Sequence, residues 1–305
     1  MSNPSRSGGG RESTGHLSHG FLGELHRQAR LGDVILLATV PVALVGLYQL
    51  PKSAKLQLAL EYLHPTPIAA YTAHFVHLTA GHLAANLVGY LILVPLLYVL
   101  AVLADRRRQF LTAFATFLVA FPLALSVLNI VIERPRIGYG FSGIVMAFFG
   151  LLPVLLLDYI GVQFSEDVGI EHSPTLFFFG IGIIALWATP LTPITETVAL
   201  VAGLASAAYL RHLLSDLPAT LRGGMRRAMA RTGYFEFGIV GLYLFALFPF
   251  AAFPRNPVGT GTILNIYTHF LGFGLGYLVS YITFRWVPID MRRGSISEAS
   301  GTNAD

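Results

Sequence analysis

Eight apolar runs dominate the chain, at roughly 33–50, 82–104, 109–132, 142–160, 174–190, 194–213, 235–253 and 263–284. Each approaches the about 20 residues that a helix needs to cross the hydrocarbon of a bilayer. Lipid offers no hydrogen bonds to an exposed backbone, so such segments are expected to be helices. The sequence therefore predicts an all-α polytopic membrane protein. Pro190 and Pro193 follow the fifth run, which leaves seven spans open as an alternative. Only 12% of the 305 residues are charged, about half the usual share for a soluble domain, and the mean hydropathy is +0.64. The basic pI calls for no nucleic-acid partner, because the cationic residues sit in the loops between apolar runs. With no cysteine, disulfides, thiolate metal sites and a cysteine nucleophile are excluded.

Cation placement sets an expected orientation in the cell membrane. With the N-terminus inside, fifteen of the twenty Lys and Arg residues fall in inner segments, chiefly Arg106–Arg108 and the 211–231 loop. Lys52, Lys55, Arg134, Arg136 and Arg255 fall outside. Both termini are then cytoplasmic. Residues 1–30 and 289–305 are polar and rich in Gly and Ser, and are expected to be disordered tails flanking one membrane domain, 31–288.

Polar groups recur at one depth of this apolar framework. His82 and Asn86, spaced i, i+4, share a face in the first turns of the second run, and His77 precedes them. Ser142 heads the fourth run between Gly140 and Gly143, where a helix N-terminus offers unpaired N–H groups. His269 lies near the start of the last run, with Gly272 and Gly276 below it on the same face. Small residues at that spacing allow close helix contact, and Gly143 and Ala147 offer a matching face. A serine beside a histidine is the arrangement of an activated nucleophile, and amide and imidazole donors suit a developing oxyanion. No carboxylate falls among these residues, so a Ser–His dyad is expected in place of a triad. His74 and Tyr139 have no spacing that forces a role.

The three motifs, His77-x4-His82-x3-Asn86, Gly140-x-Ser142-Gly143 and His269-x2-Gly272-x3-Gly276, resemble the signature of the rhomboid family of intramembrane serine proteases. The resemblance covers roughly 33–160 and 255–285. It implies a rhomboid-like helical bundle, a six-helix core with one extra helical pair. It implies Ser142 as nucleophile, His269 as general base, and His82, Asn86 and the Ser142 N–H as the oxyanion hole. His77 and the four glycines would be structural. No cofactor or metal is implied, and the partners would be transmembrane protein substrates and the bilayer. Three features depart from the family pattern. The 126 residues between Ser142 and His269 have room for the extra pair, which preserves the direction of the last span. The 51–76 loop lacks the family's Trp-Arg pair. Met146 stands where the family often has the tyrosine that packs on the catalytic histidine.

Two other classes compete with a protease. A non-catalytic rhomboid-like protein that binds or escorts membrane clients typically lacks the serine or histidine retained here. A transporter or metal protein using His74, His77 and His82 would want a carboxylate or another histidine beside them, and H-E-x-x-H is absent.

Overall fold

The computed structural model describes residues 20–132, 135–216, 226, 229, 232–255, 258–259, 262–263 and 265–286. Among them the helices are α1 (Phe21–Gln28), α2 (Leu31–Tyr48), α3 (Lys52–Leu58), α4 (Pro67–Thr72), α5 (Ala80–Leu103), α6 (Arg107–Val119), α7 (Phe121–Ile130), α8 (Ser142–Gln163), α9 (Pro174–Ala188), α10 (Pro193–Asp216), α11 (Tyr234–Ala252) and α12 (Ile266–Trp286). Two short antiparallel ladders complete the described fold: β1 (Leu60–Glu61) with β2 (Ile137–Gly138), and β3 (Val258–Gly259) with β4 (Thr262–Ile263).

Six of the described helical segments are long and apolar enough to cross a membrane, and they mark a multi-pass membrane protein. The fifth run is among them, because a 3-10 turn extends α9 to Ile170–Ala188. The third run differs from one straight span. It is broken into α6 and α7, which meet at 43°. Counted as one span, this pair raises the number to seven, against the eight runs read from the sequence. The eighth run is the helix α12, whose His269, glycines and tyrosines dilute its apolarity.

Prolines explain the break and its repair. Pro122, in the first turn of α7, has no N–H for the carbonyl of Leu118 and crowds it. That orphaned oxygen instead accepts from the Tyr71 hydroxyl of α4, at 3.1 Å. Pro41 inside α2 leaves the Leu37 carbonyl free in the same way, and Tyr90 Oη of α5 donates to it at 2.7 Å. In surroundings without water, both hydroxyls take the place of a missing backbone donor.

The central helix is α8. Its sequence is apolar all round, as a helix enclosed by others must be, and 94% of its spanning window is buried, against 17% for α10. It packs on α5, α11 and α12, whereas α9 and α10 pack chiefly on each other. Glycines set the closest approach. A Cβ on Gly272 would fall 2.2 Å from the Gly143 carbonyl oxygen, and one on Gly276 would fall 2.3 Å from that of Ala147. A Cβ on Gly150 would fall 2.3 Å from the Phe273 oxygen. The matching small faces expected on the fourth and last runs are therefore the α8–α12 seam.

Charges gather at the opposite end of α8. Arg106 holds Asp158 at 2.8 Å, and Arg107 with Tyr98 holds Asp33. Part of the expected N-terminal tail is structured: α1 packs through Phe21 against Tyr234 and Phe237. Residues 1–19 and the 289–305 tail lie outside the described residues.

Candidate active site

The starts of α5, α8 and α12 meet at one end of the bundle. Thr79 caps α5, its Oγ1 accepting the His82 N–H at 3.3 Å. The cap fixes where the helix begins, and so puts His82 in its first turn and Asn86 one turn deeper. The strand pair joins Glu61 and Leu60 to Ile137 and Gly138, and the Gly140 N–H bonds the Ala73 carbonyl at 2.9 Å. The segment leading to Ser142 is thus held by the loop before α5.

Gly140 has φ +113°, a conformation that favours glycine. A Cβ there would fall 2.4 Å from His82 Cε1 and 2.7 Å from its Nε2, so the His82 ring lies directly on this backbone, two residues before Ser142. The Tyr139 ring stands edge-on to His82 at 5.6 Å, a contact its sequence position does not signal. Burial raises the Tyr139 hydroxyl above its ordinary pKa.

His77 ties these pieces together. Asn86 Nδ2 lies 2.8 Å from His77 Nε2, and the Phe141 N–H donates to the same nitrogen at 3.4 Å. An amide nitrogen only donates, so Nε2 is the unprotonated acceptor of a neutral ring. One Asn86 N–H is thereby spent on His77, and its second N–H remains. His74, by sequence only a loop residue, is buried with Nε2 3.0 Å from Ser126 Oγ, which donates to the Ala70 carbonyl.

Burial pushes His77 down to about 3 and His74 down to about 4, from an ordinary value of 6.5. Between pH 6.5 and about 4 the unfolded chain binds protons that these folded imidazoles refuse. Stability present above pH 6.5 should therefore fall as the pH drops through that window. The thermal midpoint in detergent should be lower at pH 4.5 than at pH 7, and His74→Gln/His77→Gln should flatten the slope. An unchanged slope in the double variant would remove both histidines from the account.

Ser142 opens α8. The Ile144 and Val145 N–H groups both bond the Phe141 carbonyl, so the helical ladder starts there and the Ser142 and Gly143 N–H groups precede it. Across the glycine seam, Gly272 abuts Gly143, and His269 lies three residues nearer the helix start on the same face. At about 1.5 Å per residue this puts His269 within about one helical turn of the level of Ser142. His269 Nδ1 lies 2.8 Å from the Ala252 carbonyl at the end of α11. A carbonyl only accepts, so Nδ1 carries the proton and Nε2 presents its lone pair. That Nε2 is buried and has no hydrogen-bond partner in the protein.

What orients the imidazole was not visible in the sequence. No carboxylate holds it; a backbone carbonyl does, and such a group has no side-chain signature. Met146, in the place of the family's tyrosine, is buried against Gly272, and the aromatic contact comes from Phe253, edge-on at 5.7 Å. Among the described residues no group of three or more His, Cys, Asp or Glu side chains could hold a metal ion. Ser142, His82, Asn86, His77, His269, Gly140, Gly143 and Gly272 thus lie toward one end of the bundle, and Gly276 lies farther in, at the middle of α12. Compared with protein-family models, curated proteins and solved structures, the chain matches none.

Proposed function

We propose that the chain is an intramembrane serine endopeptidase of the rhomboid type, hydrolysing peptide bonds in or near transmembrane segments. The observation that carries this reading is the state of His269: Nδ1 is tied to the Ala252 carbonyl, and a buried Nε2 stands without a protein partner, on the helix face that meets Gly143 beside Ser142. A general base for a serine needs that tautomer. Ser142 Oγ would attack the scissile carbonyl as His269 Nε2 takes its proton. The tetrahedral oxyanion would form where the Ser142 N–H, the second Asn86 N–H and His82 converge. The imidazolium returns the proton to the leaving amine, and water then hydrolyses the acyl-enzyme by the same steps in reverse.

Counting the bent α6–α7 pair and α12 as spans gives eight alternating crossings. The extra pair is then α9 and α10, which fits their packing on one another and the exposure of α10. Two added crossings cancel, so α5, α8 and α12 all run inward. The charge distribution puts their starts on the extracytoplasmic side and both termini in the cytoplasm. Water would enter from outside, and substrates would be cut toward the outer ends of their helices. The test is purified protein with a model transmembrane substrate. Two fragments, absent with Ser142→Ala, support the reading; binding without cleavage would favour a client-binding protein.

The oxyanion donors make a separate prediction. Asn86→Ala should lower kcat by roughly 10–1000-fold, the range for losing one such donor, in protein whose circular dichroism is unchanged. An unaltered kcat would rule Asn86 out as a necessary donor.

A further inference from the structure

Asn129, near the end of α7, is buried beside the first turn of α12, and no motif draws attention to it. Its Nδ2 donates to the Leu125 carbonyl at 2.8 Å, which fixes the amide's orientation and turns Oδ1 toward α12. That oxygen accepts from Asn265 Nδ2 at 2.8 Å and from Thr268 Oγ1 at 2.9 Å. Asn265 in turn caps α12, its Oδ1 accepting the Thr268 N–H at 3.2 Å. Its Nδ2 also reaches Tyr62 Oη at 3.3 Å, and the Tyr62 hydroxyl lies where a Cβ on Gly138 would be.

Thr268 is the joint. Its hydroxyl goes to Asn129, while its methyl packs on Gly143: a Cβ on Gly143 would fall 2.8 Å from Thr268 Cγ2 and 3.0 Å from Leu125 Cδ1. Both branches of a β-branched side chain are therefore engaged, which leaves one rotamer and one height for the backbone that carries it. The next residue is His269, and the residue before Gly143 is Ser142. A hydrogen-bonded amide whose only role was to hold α7 to α12 could sit anywhere along their contact. This one links the residue before the base to the residue after the nucleophile.

We infer that Asn129 is a positioning residue: through Asn265 and Thr268 it sets the height and rotation of the first turn of α12, and so the placement of His269 against Ser142. The inference rests on the Ser142–His269 reading. Away from water, buried polar groups hold geometry firmly when every member is satisfied and fail badly when one is removed.

The test compares Thr268→Val, Thr268→Ser and Asn129→Leu with the parent protein in detergent. Cleavage of a transmembrane peptide is measured per site titrated with a fluorophosphonate probe. Thr268→Val keeps the methyl on Gly143 and removes only the hydroxyl. It should lower kcat about tenfold with KM within about twofold, and Asn129→Leu about 100-fold, the scale of a misplacement near 1 Å. Thr268→Ser, which restores the hydroxyl, should recover most of the rate. A purely structural role would lower the yield or the thermal midpoint without changing kcat per active site, and without selective rescue by serine. The inference is overturned if kcat of Thr268→Val stays within about twofold of the parent, or if KM carries the change. Should Asn129→Leu fail to fold, Thr268→Val decides alone. If the parent itself takes no label at Ser142, the dyad reading falls and the inference with it; a labelled parent with unaffected variants sinks the inference alone.

Discussion

Ser142→Ala and His269→Ala should each abolish cleavage of a transmembrane substrate, a fall of about 10⁴-fold or more, and the double variant should be no slower than either. The reason is that neither group is a nucleophile or base of use without the other. Serine's hydroxyl is a weak nucleophile until a base takes its proton, and here the imidazole across the α8–α12 seam, with a buried and unpartnered Nε2, is His269. Removing Oγ leaves no atom to be acylated. Removing the imidazole leaves a hydroxyl in a site with no carboxylate to replace it, since Asp33 and Asp158 are held by arginines at the far end of the bundle. Initial rates over a range of enzyme concentration check this. Substantial cleavage by Ser142→Ala, or further loss in the double variant, would show that the two do not act as one unit.

A single methyl group on the last helix should also slow the reaction strongly. Gly272→Ala places Cβ 2.2 Å from the Gly143 carbonyl oxygen, a backbone atom that cannot turn aside. The helices must part by the order of 1 Å, at the turn that carries His269, and kcat should fall about 100-fold. Gly274, two residues on, supplies the control, because a Cβ there meets nothing within 4 Å. Gly274→Ala changes the same helix propensity by the same amount and should leave kcat and the thermal midpoint close to the parent's. Equal behaviour of the two variants would mean that the α8–α12 seam does not govern the site.

The parts of this fold that follow from periodicity and small-residue spacing were legible in the sequence. The apolar runs are the long helices, because in lipid a backbone must satisfy itself. His269, Gly272 and Gly276 sit on one face by helical arithmetic alone, and that face meets Gly143 and Ala147 as expected. The break between α6 and α7 is signalled by Pro122, although hydropathy alone joins 109–132 into one run. The remaining features depend on groups that carry no residue-type signal at long range. The Ala252 carbonyl that sets the His269 tautomer is peptide backbone, and Phe253 reaches the ring only because α11 ends beside it. His74, Tyr139 and Asn129 are partnered across 52, 57 and 136 residues of sequence, distances over which no spacing rule operates. One clue was local. Asn265, three residues before Thr268, is a helix N-cap pattern, and it marks the true start of α12 within the eighth apolar run.

The central claim is that Ser142 is a nucleophile activated by His269, and one covalent measurement tests it without any assumption about the substrate. The purified protein is treated with a fluorophosphonate and its intact mass and peptide map are recorded. The account predicts a single adduct on the peptide containing Ser142, formed at a rate that collapses in His269→Ala. A folded protein that takes up no adduct, or one whose labelling at Ser142 proceeds equally well without His269, would contradict it.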